Sequence, residues 1–159
     1  PDLTWEVVQT QASTYPLLKV FRRMHERGLT SAIQFGINVC SGDIIGWMDC
    51  DLAMPPEKYK EMIQYIPDSD IVVGSRYLSG GGDDRSYLRR FSSQLINALG
   101  QWALKLSTKD LTSGFILCKR TVLERFPLQG LHGEYCIGLI MNAEHAGYKV
   151  TEVPYRLLL

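Results

Sequence analysis

Short apolar runs with strand character alternate along this chain with longer stretches of helical periodicity, and that alternation confines the fold to sheet covered by helices. Leu17 to Phe21 is apolar and strand-like, and after Gly28 the stretch Thr30 to Cys40 has helical character up to Ser41-Gly42. Asp43 to Met48 is a second candidate for a buried strand. Pro55-Pro56-Glu57 opens a helix, with proline in the first turn and an acid at the dipole's positive end; Tyr59, Met62, Ile63 and Ile66 mark its apolar face. Pro67 and the Asp68-Ser69-Asp70 turn stop that helix before a third strand, Ile71-Val72-Val73. Beyond a polar, glycine-rich loop at 79–86, Ser86 to Leu106 is the longest helix, with Leu88, Phe91, Leu95, Leu99, Trp102 and Leu106 on one stripe. Phe115 to Cys118 is a strand, Tyr135 to Ala146 a helix closed by Gly147, and Lys149 to Val153 a last strand before Pro154. The expected fold class is α/β, a mostly parallel sheet flanked by helices on both faces.

At 159 residues with 45% hydrophobic and 21% charged side chains, the chain is a packed domain and neither disordered nor fibrous. Basic and acidic residues both number 17, so overall charge gives no reason to expect a nucleic-acid partner. The halves differ. Residues 1–80 hold 7 basic and 10 acidic side chains (net −3) and residues 81–159 hold 10 and 7 (net +3), so the second half is the one suited to anions. Cys40, Cys50, Cys118 and Cys136 show no metal-binding or disulfide spacing. No run reaches the roughly 18 apolar residues of a spanning helix. The chain opens at Pro1 without an initiator Met and closes on Leu157-Leu158-Leu159, from which a segment truncated at both ends is expected.

Ligands of open α/β sheets bind beyond the carboxyl ends of the strands. Asp49-Cys50-Asp51 stands directly after the strand Ile44 to Met48, and residues at i and i+2 of extended chain point to one side. Two hard carboxylates with room for water and phosphate oxygens suit Mg²⁺ or Mn²⁺; alone, the same pair equally fits a strand terminator and a turn cap. Gly74-Ser75-Arg76-Tyr77 follows the third strand. Its glycine permits close backbone approach to a ligand and its arginine presents a fork to phosphate, or else pairs with an acid such as Asp83 or Asp84. The loop 79–86 is too acidic for a phosphate cradle and is expected to be a mobile flap. Arg89 and Arg90 open the long helix at its positive end, which suits them to a nearby anion. Asp110-Leu111-Thr112-Ser113-Gly114-Phe115 is dense in donors and acceptors. His25, His132 and His145 share no metal or triad spacing, and neither a nucleophile elbow nor a zinc-protease helix occurs.

Taken in order, these elements resemble glycosyltransferase family 2 catalytic domains, most of all those of the dolichyl-phosphate mannose synthase-like polyprenyl-phosphate transferases. The resemblance runs over residues 17–156. It is carried by Arg27 to Ala32, Gly46 to Leu52 with Pro55-Pro56-Glu57, Gly74 to Tyr77 with the triple glycine, Arg89 to Asn97, Asp110 to Phe115, and Gly147 to Val150 with Glu152-Val153-Pro154. It implies a GT-A fold over 1–159, a GDP- or UDP-linked sugar donor held through Mg²⁺ or Mn²⁺, and a polyprenyl phosphate acceptor met at the cytoplasmic face of a membrane. Asp49 and Asp51 would hold the metal and donor. Arg76 and Arg89, with Asp51, would serve the reacting centre, Arg89 and Arg90 would contact the donor, and Asp110, Thr112 and Ser113 would line the acceptor side. The resemblance implies mannose or another hexose moved with inversion. A family 2 transferase with a polysaccharide or protein-linked acceptor, and a non-catalytic member of the fold, are the alternatives. Ala53 stands where the family commonly carries Gln.

Overall fold

A computed structural model describes residues 3–158; Pro1, Asp2 and Leu159, on which part of the expected chain-end character rests, lie outside the described residues. The chain orders as α1 (Thr4–Ala12), α2 (Leu29–Val39), β1 (Ile44–Trp47), α3 (Tyr59–Met62), β2 (Ile71–Ser75), β3 (Gly82–Asp83), α4 (Tyr87–Leu104), β4 (Ile116–Lys119), α5 (Arg120–Arg125), α6 (Tyr135–His145), β5 (Val150–Pro154) and β6 (Arg156–Leu157). The main sheet has strand order β1-β4-β2-β5, and β3 pairs with β6 in a separate ribbon.

Period-2 alternation sorts the sheet's side chains onto two cores. Ile71 and Val73 of β2 and Ile116 and Cys118 of β4 face a core built with Ile37 of α2, Val122 and Leu123 of α5, and Leu139, Ile140 and Ala143 of α6. Val72, Leu117 and Val153 face the opposite core with Met54, Met62 and Ile66. The sheet is thus covered on both faces, as the buried run at β2 required. Gly147 closes α6 at φ 83° with its N–H on the Glu144 carbonyl, as expected of a C-terminal glycine.

The expected direction of the strands needs correction. β2 and β5 run parallel, but β4 is antiparallel to both β1 and β2, so two of the three ladders in the main sheet are antiparallel. After α4 the chain does not cross back to the starting edge of β2; residues 105–115 remain at its finishing edge, and β4 therefore departs in reverse. The consequence is functional: the carboxyl ends of β1, β2 and β5 and the amino end of β4 meet at one edge.

Four further expectations fail. Leu17–Phe21 is not a strand: it pairs with neither sheet, Leu17 is 96% exposed, and Phe21 sets its ring edge-on against Phe35. Ile63 lies half-exposed because the helix is α only over Tyr59–Met62 and 3₁₀ on either side, so no single 3.6-residue stripe persists. Gly74 does not clear space for a ligand. A Cβ there would stand 2.6 Å from Phe115 Cδ1 and 3.1 Å from Tyr155 Cδ1, so the glycine lets two aromatic rings close over β2. Gly74→Ala is accordingly expected to destabilise the domain by about 1–3 kcal/mol through overpacking, a loss read as a lower midpoint in urea unfolding.

The fourth concerns α4. Its apolar stripe faces outward: Leu88, Phe91, Leu95, Leu99 and Trp102 are all exposed, Trp102 at 81%, and Asn97 is the helix's buried residue. The helix docks by its polar side instead. Tyr77 Oη and Ser93 Oγ are 2.7 Å apart, Asn97 Nδ2 donates to Thr112 Oγ1 at 2.9 Å, and Gln101 Nε2 donates to the Thr108 carbonyl at 2.8 Å. No helix among the described residues is long and apolar enough to cross a membrane.

Candidate active site

At the edge where three strands end and β4 begins lies a cleft of about 390 Å³, lined by the carboxylates Asp49 and Asp51, by the guanidiniums Arg76, Arg85 and Arg89, and by Thr112, Ser113, Gly114 and Tyr155. A second cavity of about 480 Å³ shares Arg76, Arg85, Arg89 and Thr112 with it and continues along α4 over Leu88, Ser92, Ser93 and Ile96. The first cavity joins carboxylates to guanidiniums, and the second joins the same guanidiniums to apolar surface.

The carboxylate side is shaped by a strained turn. Asp51 Oδ1 accepts the Ala53 N–H at 3.0 Å, and Leu52 between them sits at φ 65°, a left-handed conformation that costs a side-chain-bearing residue on the order of 1 kcal/mol. Partial burial and then the neighbouring Asp51 charge raise the Asp49 carboxyl above its usual range. Beneath it, Trp47 Nε1 donates to Tyr135 Oη at 3.0 Å. No cluster of three or more metal-ligating side chains occurs among the described residues, so a cation on Asp49 and Asp51 would take its remaining ligands from water or substrate oxygens. Two adjacent carboxylates, one still open at Oδ2, fit a hard divalent ion that relieves their repulsion.

The guanidinium side rests on a buried ion pair. Arg76 donates through Nε to Asp110 Oδ2 at 2.8 Å and through Nη2 to Asp110 Oδ1 at 2.7 Å, while its backbone N–H reaches Oδ2 at 2.9 Å. Nη2 also donates to Thr112 Oγ1. Burial alone would lower the Arg76 pKa, but hydrogen bonds and charge from Asp110 raise it, so the guanidinium is permanently cationic. The sequence offered Asp83 or Asp84 as partners for Arg76; the acid that takes it is 34 residues away. Asp110, expected along the acceptor side, is fully buried behind Arg76 and does not line the cleft, whereas Thr112 and Ser113 do. Arg89 lines both cavities and the exposed Arg90 lines neither.

The loop that delivers Asp110 has no regular structure, yet a run of its backbone N–H groups is engaged. Five consecutive N–H groups donate to side chains: Ser107 and Thr108 to Glu144, Lys109 and Asp110 to Glu152, and Leu111 to Asn97 Oδ1. These three supports escaped the sequence analysis as individual residues, because their partners are backbone atoms that leave no pattern in the sequence. Tyr155 and Arg85 escaped it too, although Tyr155 follows the last parallel strand, a position the strand-end rule selects. Burial pushes the Tyr155 phenol up to about 12, so it is a neutral donor in the cleft wall.

The loop 79–86 is a pinned ribbon and not the mobile flap expected. β3 pairs with β6, Gly82 and Asp84 N–H groups bond the Tyr155 and Leu157 carbonyls, and Arg156 grips Asp84 with bonds of 2.7–3.0 Å. Leu158 N–H in turn bonds the Ala53 carbonyl, tying this ribbon to the turn of Asp51.

The family profile described as glycosyl transferase family 2 matches residues 1–126. The chain is similar to the dolichol-phosphate mannosyltransferase of Pyrococcus furiosus, with 36% identity over 159 residues covering 98% of this chain and 44% of that protein. It is also similar to the polyprenol monophosphomannose synthase of Mycolicibacterium smegmatis, with 31% identity over 163 residues covering 97% and 62%. The chain thus spans about half the length of the curated relatives it matches. Among solved structures, glucosyl-3-phosphoglycerate synthase from Mycobacterium tuberculosis in complex with Mn²⁺, UDP and phosphoglyceric acid superimposes with a TM-score of 0.63 at 14% identity, over 92% of this chain and 48% of that one. The same enzyme in complex with Mg²⁺ and UDP gives 0.62 at 15% identity, over 92% and 49%. The GT-A fold expected from the sequence is therefore the fold observed.

Proposed function

The chain belongs to glycosyl transferase family 2, and we propose that it forms the catalytic edge of a metal-dependent enzyme moving mannose or another hexose from a nucleoside-diphosphate sugar to a polyprenyl phosphate. The observation that carries this reading is the shared wall of arginines: a carboxylate cleft fit for a cation and diphosphate on one side, and a cavity running onto apolar helix surface on the other. The names of the two curated relatives support a lipid-phosphate acceptor, and the metal and nucleotide in the structural neighbours support the donor side.

In this reading Asp49 and Asp51 hold a Mg²⁺ or Mn²⁺ ion, which when bound neutralises the donor's diphosphate. Arg76, fixed by Asp110, and Arg89 align the acceptor phosphate and offset charge on the departing diphosphate. A phosphate oxygen attacks the anomeric carbon as the bond to the diphosphate oxygen breaks on the opposite face, so configuration inverts and the electron pair leaves with the nucleotide. A phosphate monoester is already anionic near neutrality, so no general base is needed. The deciding experiment supplies GDP- and UDP-sugars with short polyprenyl phosphate to the full-length protein, with and without Mn²⁺. Metal-dependent formation of a lipid-phosphate sugar is expected, and its absence with every donor overturns the reading.

The outward stripe of α4 fits the same chemistry. An apolar helix face flanked by Arg89 and Arg90 at one end and Lys105 at the other suits a membrane surface, with apolar side chains among the acyl chains and cations at the headgroups of the cytoplasmic leaflet. Leu99→Glu/Trp102→Glu is expected to reduce sedimentation with anionic phospholipid vesicles at least tenfold while leaving the thermal midpoint unchanged, because neither side chain supports the core.

A further inference from the structure

We propose that Arg85 is a third phosphate-binding guanidinium, directed at the acceptor's phosphate and held in place by Asp83; this rests on the transfer reading above. Arg85 lines both cavities, as only Arg76, Arg89 and Thr112 also do. It is not a free surface arm. Its Nε lies 2.9 Å from Asp83 Oδ1 and its Nη2 lies 2.6 Å from Asp83 Oδ2, and its backbone N–H also donates to Oδ1 at 3.0 Å. Asp83 itself stands in β3, paired with β6, so the guanidinium is anchored to a hydrogen-bonded ribbon. That removes most of the ordering entropy a long side chain otherwise loses on binding.

Charge and valence at this wall favour a phosphate monoester. Asp110 offsets Arg76 and Asp83 offsets Arg85, while Arg89 has no ion pair among the described residues, which leaves one net positive charge on three guanidiniums. The Nη1 groups of Arg76 and Arg85 have no protein partner among the described residues and remain to donate. With the Arg89 guanidinium they can serve the three terminal oxygens of a monoester. The acceptor is the better occupant than the donor for a reason of geometry: the cavity that continues onto Leu88 and Ile96 contains no carboxylate, whereas the donor's diphosphate is accounted for by a cation on Asp49 and Asp51 in the other.

The obvious objection is that Arg85 only staples the ribbon through Asp83, and the two roles predict opposite signs. In the full-length protein, Arg85→Ala is expected to raise the KM for polyprenyl phosphate at least tenfold while donor KM changes less than twofold, as for loss of a charge-assisted contact. Asp83→Asn keeps the Oδ1 that accepts both the Arg85 backbone N–H and Nε, so most of the anchoring persists, while it removes the counter-charge; it is expected to lower the same KM severalfold. Arg85→Lys keeps the charge and loses the fork, so it falls between. A rise in acceptor KM for both Arg85→Ala and Asp83→Asn, with matching drops in thermal midpoint, reduces Arg85 to a staple; a rise in donor KM alone assigns it to the donor. Titration with inorganic phosphate by calorimetry gives a readout independent of turnover: binding should weaken in Arg85→Ala and tighten in Asp83→Asn. If the wild type transfers no sugar to polyprenyl phosphate, the functional reading fails, and the phosphate titration still decides whether Arg85 binds anions.

Discussion

Asp51→Asn in the full-length protein is expected to cut metal-dependent sugar transfer on the order of 10³-fold while leaving the fold intact. The two halves of that statement come from different atoms. Asp51 Oδ1 closes the turn by accepting the Ala53 N–H, a role an amide oxygen can keep. The negative charge is what a hard divalent ion requires, and an amide cannot supply it. Removing one of two carboxylates, where no group of three ligating side chains occurs among the described residues, leaves too little charge to hold the ion against water. The variant's residual rate should therefore match that of the wild type in EDTA, and its thermal midpoint should match that of untreated wild type. Wild-type turnover at saturating Mn²⁺ would remove Asp51 from the metal site.

Asp49→Asn gives a sharper contrast. Its carboxyl is raised above the usual range by partial burial and by Asp51, so without a cation the folded protein holds that charge at a cost. Neutralising it should leave the metal-free domain as stable as wild type or slightly more so, while transfer falls as it does for Asp51→Asn. A site built for activity at the expense of stability behaves in this way, and the left-handed Leu52 between the two carboxylates is a second instance of the same trade.

How much of this could be read from the sequence depends on the range of the interactions. Asp49, Asp51 and Arg76 were legible because each follows an apolar run, and the ends of such strands gather ligands whatever the remaining topology. The strand β2 and the helices α2 and α6 were legible because their patterns are local. The reversal of β4 was not, since antiparallel and parallel buried strands share one apolar code and the difference lies in where residues 105–115 return the chain. The periodicity of α4 was found and its meaning inverted: a hydrophobic stripe specifies a face to be covered, and nothing in the pattern says whether protein or lipid covers it. Ser93, Asn97 and Gln101, the residues that dock the helix, also repeat at helical spacing, but polar spacing is ordinarily taken for the solvated side. The pairing of Arg76 with Asp110 instead of the nearer Asp83 and Asp84 is a tertiary choice, made by a loop whose five backbone N–H groups are fixed by Glu144, Glu152 and Asn97.

That pair carries the second large effect. Asp110 has no solvent exposure and Arg76 has 8%, so Asp110→Ala leaves a guanidinium without its counter-charge and orphans the Arg76 backbone N–H. Breaking a buried pair from one side costs about 3–5 kcal/mol, which in a domain of this size should lower the thermal midpoint on the order of 10 °C and abolish transfer. Loss of activity in that variant would say little by itself, because it follows from unfolding as readily as from a lost phosphate contact. The double variant Arg76→Met/Asp110→Leu separates the two. Replacing both partners with apolar groups of similar volume removes the unpaired charge, so much of the stability should return, while transfer should stay lost because the Arg76 guanidinium no longer faces the reacting phosphate. Recovery of both would reduce Arg76 to a structural residue. Recovery of neither would mean that the hydrogen bonds to Thr112 and to the backbone of residue 76, and not the ionic pair, hold this edge of the sheet together.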